Sequence, residues 1–130
     1  MRFMLLIYQD EQLLDQDTRN ACYVESAGLA RDLNSTGNFH SAAPLLPVAT
    51  AKSVRVRGGK RLLTDGPFAE TREQLGGYFM VEAENADEAI EIAARIPGAK
   101  LGTVEVRQVL EIEGVPAPEE VAPKVAVGSH

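Results

Sequence analysis

Apolar positions in this chain recur at two different periods, and the switch between them divides it into elements. Phe3-Met4-Leu5-Leu6-Ile7-Tyr8 is a continuous apolar run of strand length, ended by Gln9-Asp10-Glu11. A buried helix of that composition would have to be longer. Tyr23, Ala27, Ala30 and Leu33 then recur at helical spacing, which predicts a helix capped by Asp17 and running to about Ser35, with Gly37 as its stop. Residues 38–50 hold two prolines and no periodicity, so they read as a surface connector.

Lys52–Arg57 alternates at period two, and Lys60–Thr64 follows after Gly58-Gly59. Two strands joined by a Gly-Gly turn make a β-hairpin. Gly76–Glu84 is again strand-like. Asn85 stands three residues before Glu88, a capping-box spacing, and Ala89, Ile92, Ala93 and Ile96 form the apolar face of a second helix ended by Pro97-Gly98. Thr103–Ile112 reads as the last strand, with Val104, Val106, Leu110 and Ile112 on one face.

The predicted order is β-α-β-β-β-α-β, an α+β layout with both helices on one face of a largely antiparallel sheet. One domain over residues 1–112 is expected. Residues 113–130, with three prolines and no aromatic, form a tail or a docking arm. In the first strand Phe3, Leu5 and Ile7 point one way while Met4, Leu6 and Tyr8 point the other. Two helices cover only one of these faces. Burying each side chain of the other is worth about 1.5–3 kcal/mol, which predicts a homodimer packed sheet against sheet.

Composition narrows the function classes. The 130 residues are 45% hydrophobic and 25% charged, as in ordinary globular domains. The net charge of −6 disfavours nucleic acid and anionic membranes, despite a local basic patch of Arg55, Arg57, Lys60 and Arg61. Cys22 is the sole cysteine, which rules out an intrachain disulfide and a multi-cysteine metal site. No run approaches a membrane span or a secretory leader, so a cytoplasmic location is expected. There is no G-x-G-x-x-G, P-loop, H-E-x-x-H or G-x-S-x-G, and no cofactor or metal is expected.

Candidate chemistry concentrates in Thr64–Glu82, TDGPFAETREQLGGYFMVE, where a turn, a charged loop and a Gly-Gly pair precede a strand. Loops at strand ends are where sites gather. Asp65 has two readings: a general acid or base at a cleft mouth, or an Asx-turn residue ahead of Gly66-Pro67. His40 either pairs with a carboxylate as an acid–base dyad or lies on an exposed loop. Glu70, Arg72 and Glu73 either bind an anionic group or are solvated. Arg55, Arg57, Glu105 and Arg107 lie on the more polar faces of their strands, where Tyr8, Tyr78 and Met80 would complete a cavity.

The stretch DGPFAETREQLGGYFMVE, the helix after it, VEVRQV at 104–109 and the opening MRFMLLIYQDE together resemble the DGPF-domain proteins of the YCII-related family. The resemblance covers roughly residues 1–112. It implies a ferredoxin-like unit that dimerises through its sheets, in the dimeric α+β barrel superfamily. It further implies an acidic pocket residue and a functional link to extracytoplasmic-function sigma factors. The wider group carries a His–Asp pair, for which this chain offers His40 and Asp65. The function expected is acid–base chemistry on a small organic molecule in a cleft near the DGPF loop, catalysed by Asp65 and His40, with Arg72, Glu70, Tyr78 and Arg107 holding the substrate. The alternative is a non-catalytic ligand-binding or regulatory module.

Overall fold

A computed structural model of the chain describes residues 1–116. Six strands form, β1 (Arg2–Gln9), β2 (Phe39–Pro44), β3 (Lys52–Arg57), β4 (Lys60–Asp65), β5 (Gln74–Glu82) and β6 (Thr103–Gln108). Three helices join them, α1 (Gln16–Ser35), α2 (Ala86–Ala94) and the single turn α3 (Gly98–Leu101). Strands β2-β5-β1-β6 make one antiparallel sheet, and β3-β4 form a separate two-stranded hairpin. Without the hairpin the order is β-α-β-β-α-β, the ferredoxin-like arrangement.

The central strand β1 alternates as its sequence predicts. Phe3 and Leu5 are buried with Phe79 and Val81 of β5 beneath the helices, while Met4, Leu6 and Tyr8 remain half-buried on the other face. The core is completed by Leu29 and Leu33 of α1 and by Ala89, Ile92 and Ala93 of α2, with Ile96 just beyond. Leu5 is fully buried. Removing such a side chain from water contributes about 1.5–3 kcal/mol.

Four sequence-based expectations need correction. The 38–50 connector contains β2, an edge strand paired with β5 in the register Ala42↔Phe79. Its identity comes from that pairing, not from any pattern of its own. Helix α1 is capped by Asp15, whose carboxylate accepts the Thr18 N–H at 2.8 Å, and Asp17 lies in its first turn. Its buried residues are Leu29 and Leu33, while Tyr23 stays 42% exposed instead of entering the core. The last strand ends at Gln108: β1 has no residue left to pair beyond the Val109 N–H to Arg2 carbonyl bond, so Leu110 and Ile112 stay exposed.

The hairpin turn matches the expectation. Gly58 and Gly59 adopt φ of 56° and 77°, the left-handed pair that a two-residue hairpin turn demands. From residue 117 onward the expected tail lies outside the described residues. No helix among the described residues is long and apolar enough to cross a membrane.

Candidate functional site

Helix α1 buries only Leu29 and Leu33, toward its C-terminal end, and a cavity of about 260 Å³ opens beneath the stretch from Arg19 to Ala30. Ile7 of β1 and the β5 segment Gly76–Phe79 form its sheet side, with Cys22, Ser26 and Ala30 opposite on α1. The wall is mostly apolar, the usual character of a small-molecule site. Room exists because the facing positions are small. At Gly77 a Cβ would lie 2.9 Å from the Ala43 carbonyl oxygen, so only glycine lets β2 close against β5 there.

Polar groups gather at one end of the cavity, where β1 runs out into a 3-10 turn, Glu11–Leu13. The Glu11 carboxylate accepts the Val48 N–H, at 3.1 and 3.4 Å to its two oxygens. The Glu11 N–H donates to Gln74 Oε1 at 3.4 Å. Arg19 reaches back from α1, its Nη2 donating to the carbonyls of Leu14 at 3.3 Å and Glu11 at 3.5 Å. Among the described residues its guanidinium has no carboxylate partner. Gln9, Glu11, Arg19 and Gln74 thus all line the cavity, and backbone groups of Val48, Leu14 and Thr71 bond the Glu11, Arg19 and Gln74 side chains.

Such a constellation suits a compact ligand with an apolar body and an oxygen substituent. A guanidinium offers five donors, and a carboxylate with one N–H bond keeps most of its acceptor sites. Cys22 supplies a thiol to the wall. Burial, and then the charge of Glu25, push its pKa up, so it stays a protonated thiol at neutral pH and is a poor nucleophile.

A second polar cluster lies on the sheet away from the cavity. His40 Nε2 is 2.8 Å from Glu82 Oε1 and 3.2 Å from Arg2 Nε, while Glu82 Oε2 meets the Met1 α-amino group at 2.8 Å. Hydrogen bonds from that amino group and from His40 depress the Glu82 pKa to about 2.

The sequence-predicted residues do not converge. Asp65, at the end of β4, is 83% exposed and accepts the Lys52 ammonium at 2.5 Å. No backbone N–H bonds its carboxylate among the described residues; the turn is instead held by the Gly66 N–H to Ala51 and by Ser53 Oγ to the Gly66 carbonyl. His40 pairs with Glu82, not with Asp65. Arg72 is exposed, 4.0 Å from Asp10, and Glu70 is exposed on the loop. Arg107 lies opposite Met4 on the helix-free face. Of the six, Tyr78 alone borders the cavity. Sequence reasoning passed over Gln9, Glu11, Arg19 and Gln74 as site residues. The available signal was the polar run Gln9-Asp10-Glu11, sitting where an apolar strand stops.

Comparison with known proteins agrees with this architecture. The family model described as the YCII-related domain matches residues 1–113. An uncharacterised protein of Rhizobium meliloti (strain 1021), R00369, is 31% identical over 116 residues, covering 82% of this chain and 90% of the relative. Among solved structures, 5-chloro-2-hydroxyhydroquinone dehydrochlorinase (TftG) from Burkholderia phenoliruptrix AC1100, in complex with 2,5-dihydroxybenzoquinone, superposes with a TM-score of 0.53. It covers 87% of this chain and 97% of that one at 15% identity, a likeness of fold: the α+β unit of dimeric α+β barrels.

Proposed function

Because the chain belongs to the YCII-related domain family, we propose that it is a small enzyme whose substrate is a single-ring organic molecule held between α1 and the sheet. The observation that carries this reading is the apolar cavity of about 260 Å³ with Arg19 and Glu11 at its mouth. The ring is buried against Ile7, Ala30 and Phe79, which removes water from its surface. The Arg19 guanidinium orients an oxygen substituent and stabilises negative charge that develops on it. The Glu11 carboxylate, fixed by the Val48 N–H, takes the proton released as that charge develops. The fold neighbour TftG, a dehydrochlorinase bound to a dihydroxybenzoquinone, supports a ring-shaped substrate. The protein works as a homodimer, since Met4, Leu6 and Met80 form a half-buried sheet face that no helix among the described residues covers.

The test is binding and turnover of hydroxylated benzoquinones and aromatic acids, starting with 2,5-dihydroxybenzoquinone. Saturable binding should raise Tm by roughly 10 °C at a hundred times Kd, the equivalent of about 2.7 kcal/mol. The effect should disappear in Ser26→Trp, which fills the cavity. Binding that Ser26→Trp leaves untouched, or no binding by any member of the set, would overturn the proposal.

A further inference from the structure

Beyond the cavity, the most unusual surface is the β3-β4 hairpin. It stands apart from the four-stranded sheet, and among the described residues β3 pairs only with β4. An isolated two-stranded hairpin is marginal in water and needs a surface to pack on. This one also carries apolar side chains to solvent. By register, Val54 lies across from Leu63 and Val56 across from Arg61 on one face; Val54, Val56 and Leu63 are 59%, 62% and 61% exposed. On the other face Arg55 sits over the Phe68 ring, 4.9 Å from its centroid, and still leaves that ring 75% exposed.

Charge says what covers this surface. Lys52, Arg55, Arg57, Lys60 and Arg61 against Asp65 give the hairpin a net charge of +4. In a chain of net charge −6, all other residues together therefore carry −10. Exposed Asp15, Asp17, Glu25, Asp87 and Glu91 display part of that excess on the helical layer. A basic arm on an acidic body is complementary to another copy of the same molecule, and such complementarity sets register and speeds encounter. A polyanion fits less well. The whole chain repels it, and the Val54-Val56-Leu63 stripe offers it nothing.

We propose that the β3-β4 hairpin clasps a second copy of this chain, burying Val54, Val56 and Leu63 against the acidic body of the partner. The inference rests on the homodimer proposed above and adds a second contact to the sheet face. In a closed two-fold pair both hairpins are used, so each subunit gives and receives one arm. Salt then weakens the clasp, but the sheet face carries Arg107 opposite Met4 and Glu105 opposite Leu6 and responds to salt as well, so hairpin variants separate the two contacts.

The test is sedimentation equilibrium of the full chain at 50 and 500 mM NaCl, for wild type and two variants. The first is Val54→Lys with Leu63→Glu, which places an opposite-charge pair across the hairpin and so preserves it. The second is Val56→Glu, a single change at an exposed position opposite Arg61 that brings a like charge to the acidic body. The expected result is a wild-type dimer whose Kd rises with salt, and variants with unchanged far-UV circular dichroism whose Kd is at least tenfold higher. Folded variants that dimerise as tightly as wild type at both salt concentrations would overturn the clasp and leave the sheet-face dimer standing. A wild type that stays monomeric would sink both.

Discussion

His40 and Glu82, from adjacent strands β2 and β5, meet at 2.8 Å between Nε2 and Oε1. The same ring nitrogen lies 3.2 Å from Arg2 Nε. One imidazole nitrogen cannot donate to a carboxylate and accept from a guanidinium at once. The shorter contact is to the carboxylate, so Nε2 carries a proton toward Glu82, and Arg2 serves the cluster as a charge, 3.9 Å from both Glu82 and Glu111. The histidine that the sequence offered as half of a catalytic dyad therefore has a carboxylate, on the neighbouring strand rather than at the DGPF turn.

This cluster makes stability depend on acid pH in a defined direction. The Glu82 pKa is depressed in the folded state, from 4.5 to about 2. Its contribution is thus present above pH 4.5 and lost as pH falls toward 2. Glu82→Gln should lower the urea midpoint at pH 7, and the gap to wild type should close as both are titrated toward pH 2. A gap that stays constant over this range would show that the ionised carboxylate is not what matters.

Leu5 lies at the centre of β1 with no solvent exposure, between β5 and β6 and under the helices. Leu5→Ala should destabilise the fold by about 2–5 kcal/mol, measured by denaturant unfolding, because the sheet cannot collapse into the space left.

Neighbouring glycines of β5 should behave differently. At Gly77 an added Cβ meets the Ala43 carbonyl at 2.9 Å, whereas at Gly76 the nearest atom, Gln9 Oε1, is 3.7 Å away. Gly77→Ala should cost about 1–3 kcal/mol by forcing β2 from β5, and Gly76→Ala should leave Tm nearly unchanged. Equal melting temperatures for the two variants would contradict this strand geometry.

Arg19→Ala should weaken binding of an anionic ring ligand about tenfold by calorimetry, with partial recovery in Arg19→Lys. The fold should tolerate both, since the side chain's bonds to the Leu14 and Glu11 carbonyls are long.

Asp65→Asn should leave ligand binding and Tm close to wild type, because the carboxylate is exposed and its partner is the exposed Lys52. Loss of binding or turnover in this folded variant would return Asp65 to the site and displace Glu11 from its proposed role.

What the sequence determined by itself was every element with a local cause. The two-sided apolar run made β1, Gly58-Gly59 made the hairpin turn, and Asn85 with Glu88 capped α2, where the Asn85 side chain accepts the Glu88 N–H at 2.9 Å. Each of these is written within a few residues and needs no distant partner. Strand β2 was not legible, because Phe39–Pro44 becomes a strand only by pairing with β5, about 40 residues further on. Leu110 and Ile112 carried the strand pattern yet had no β1 residue left to pair with. The cavity was decided entirely by tertiary structure. Glu11, Arg19 and Gln74 belong to three segments that the chain pattern treats as unrelated, and they meet because α1 stands off the sheet over a strip of small residues. A cavity is the space between elements, and no single element encodes it.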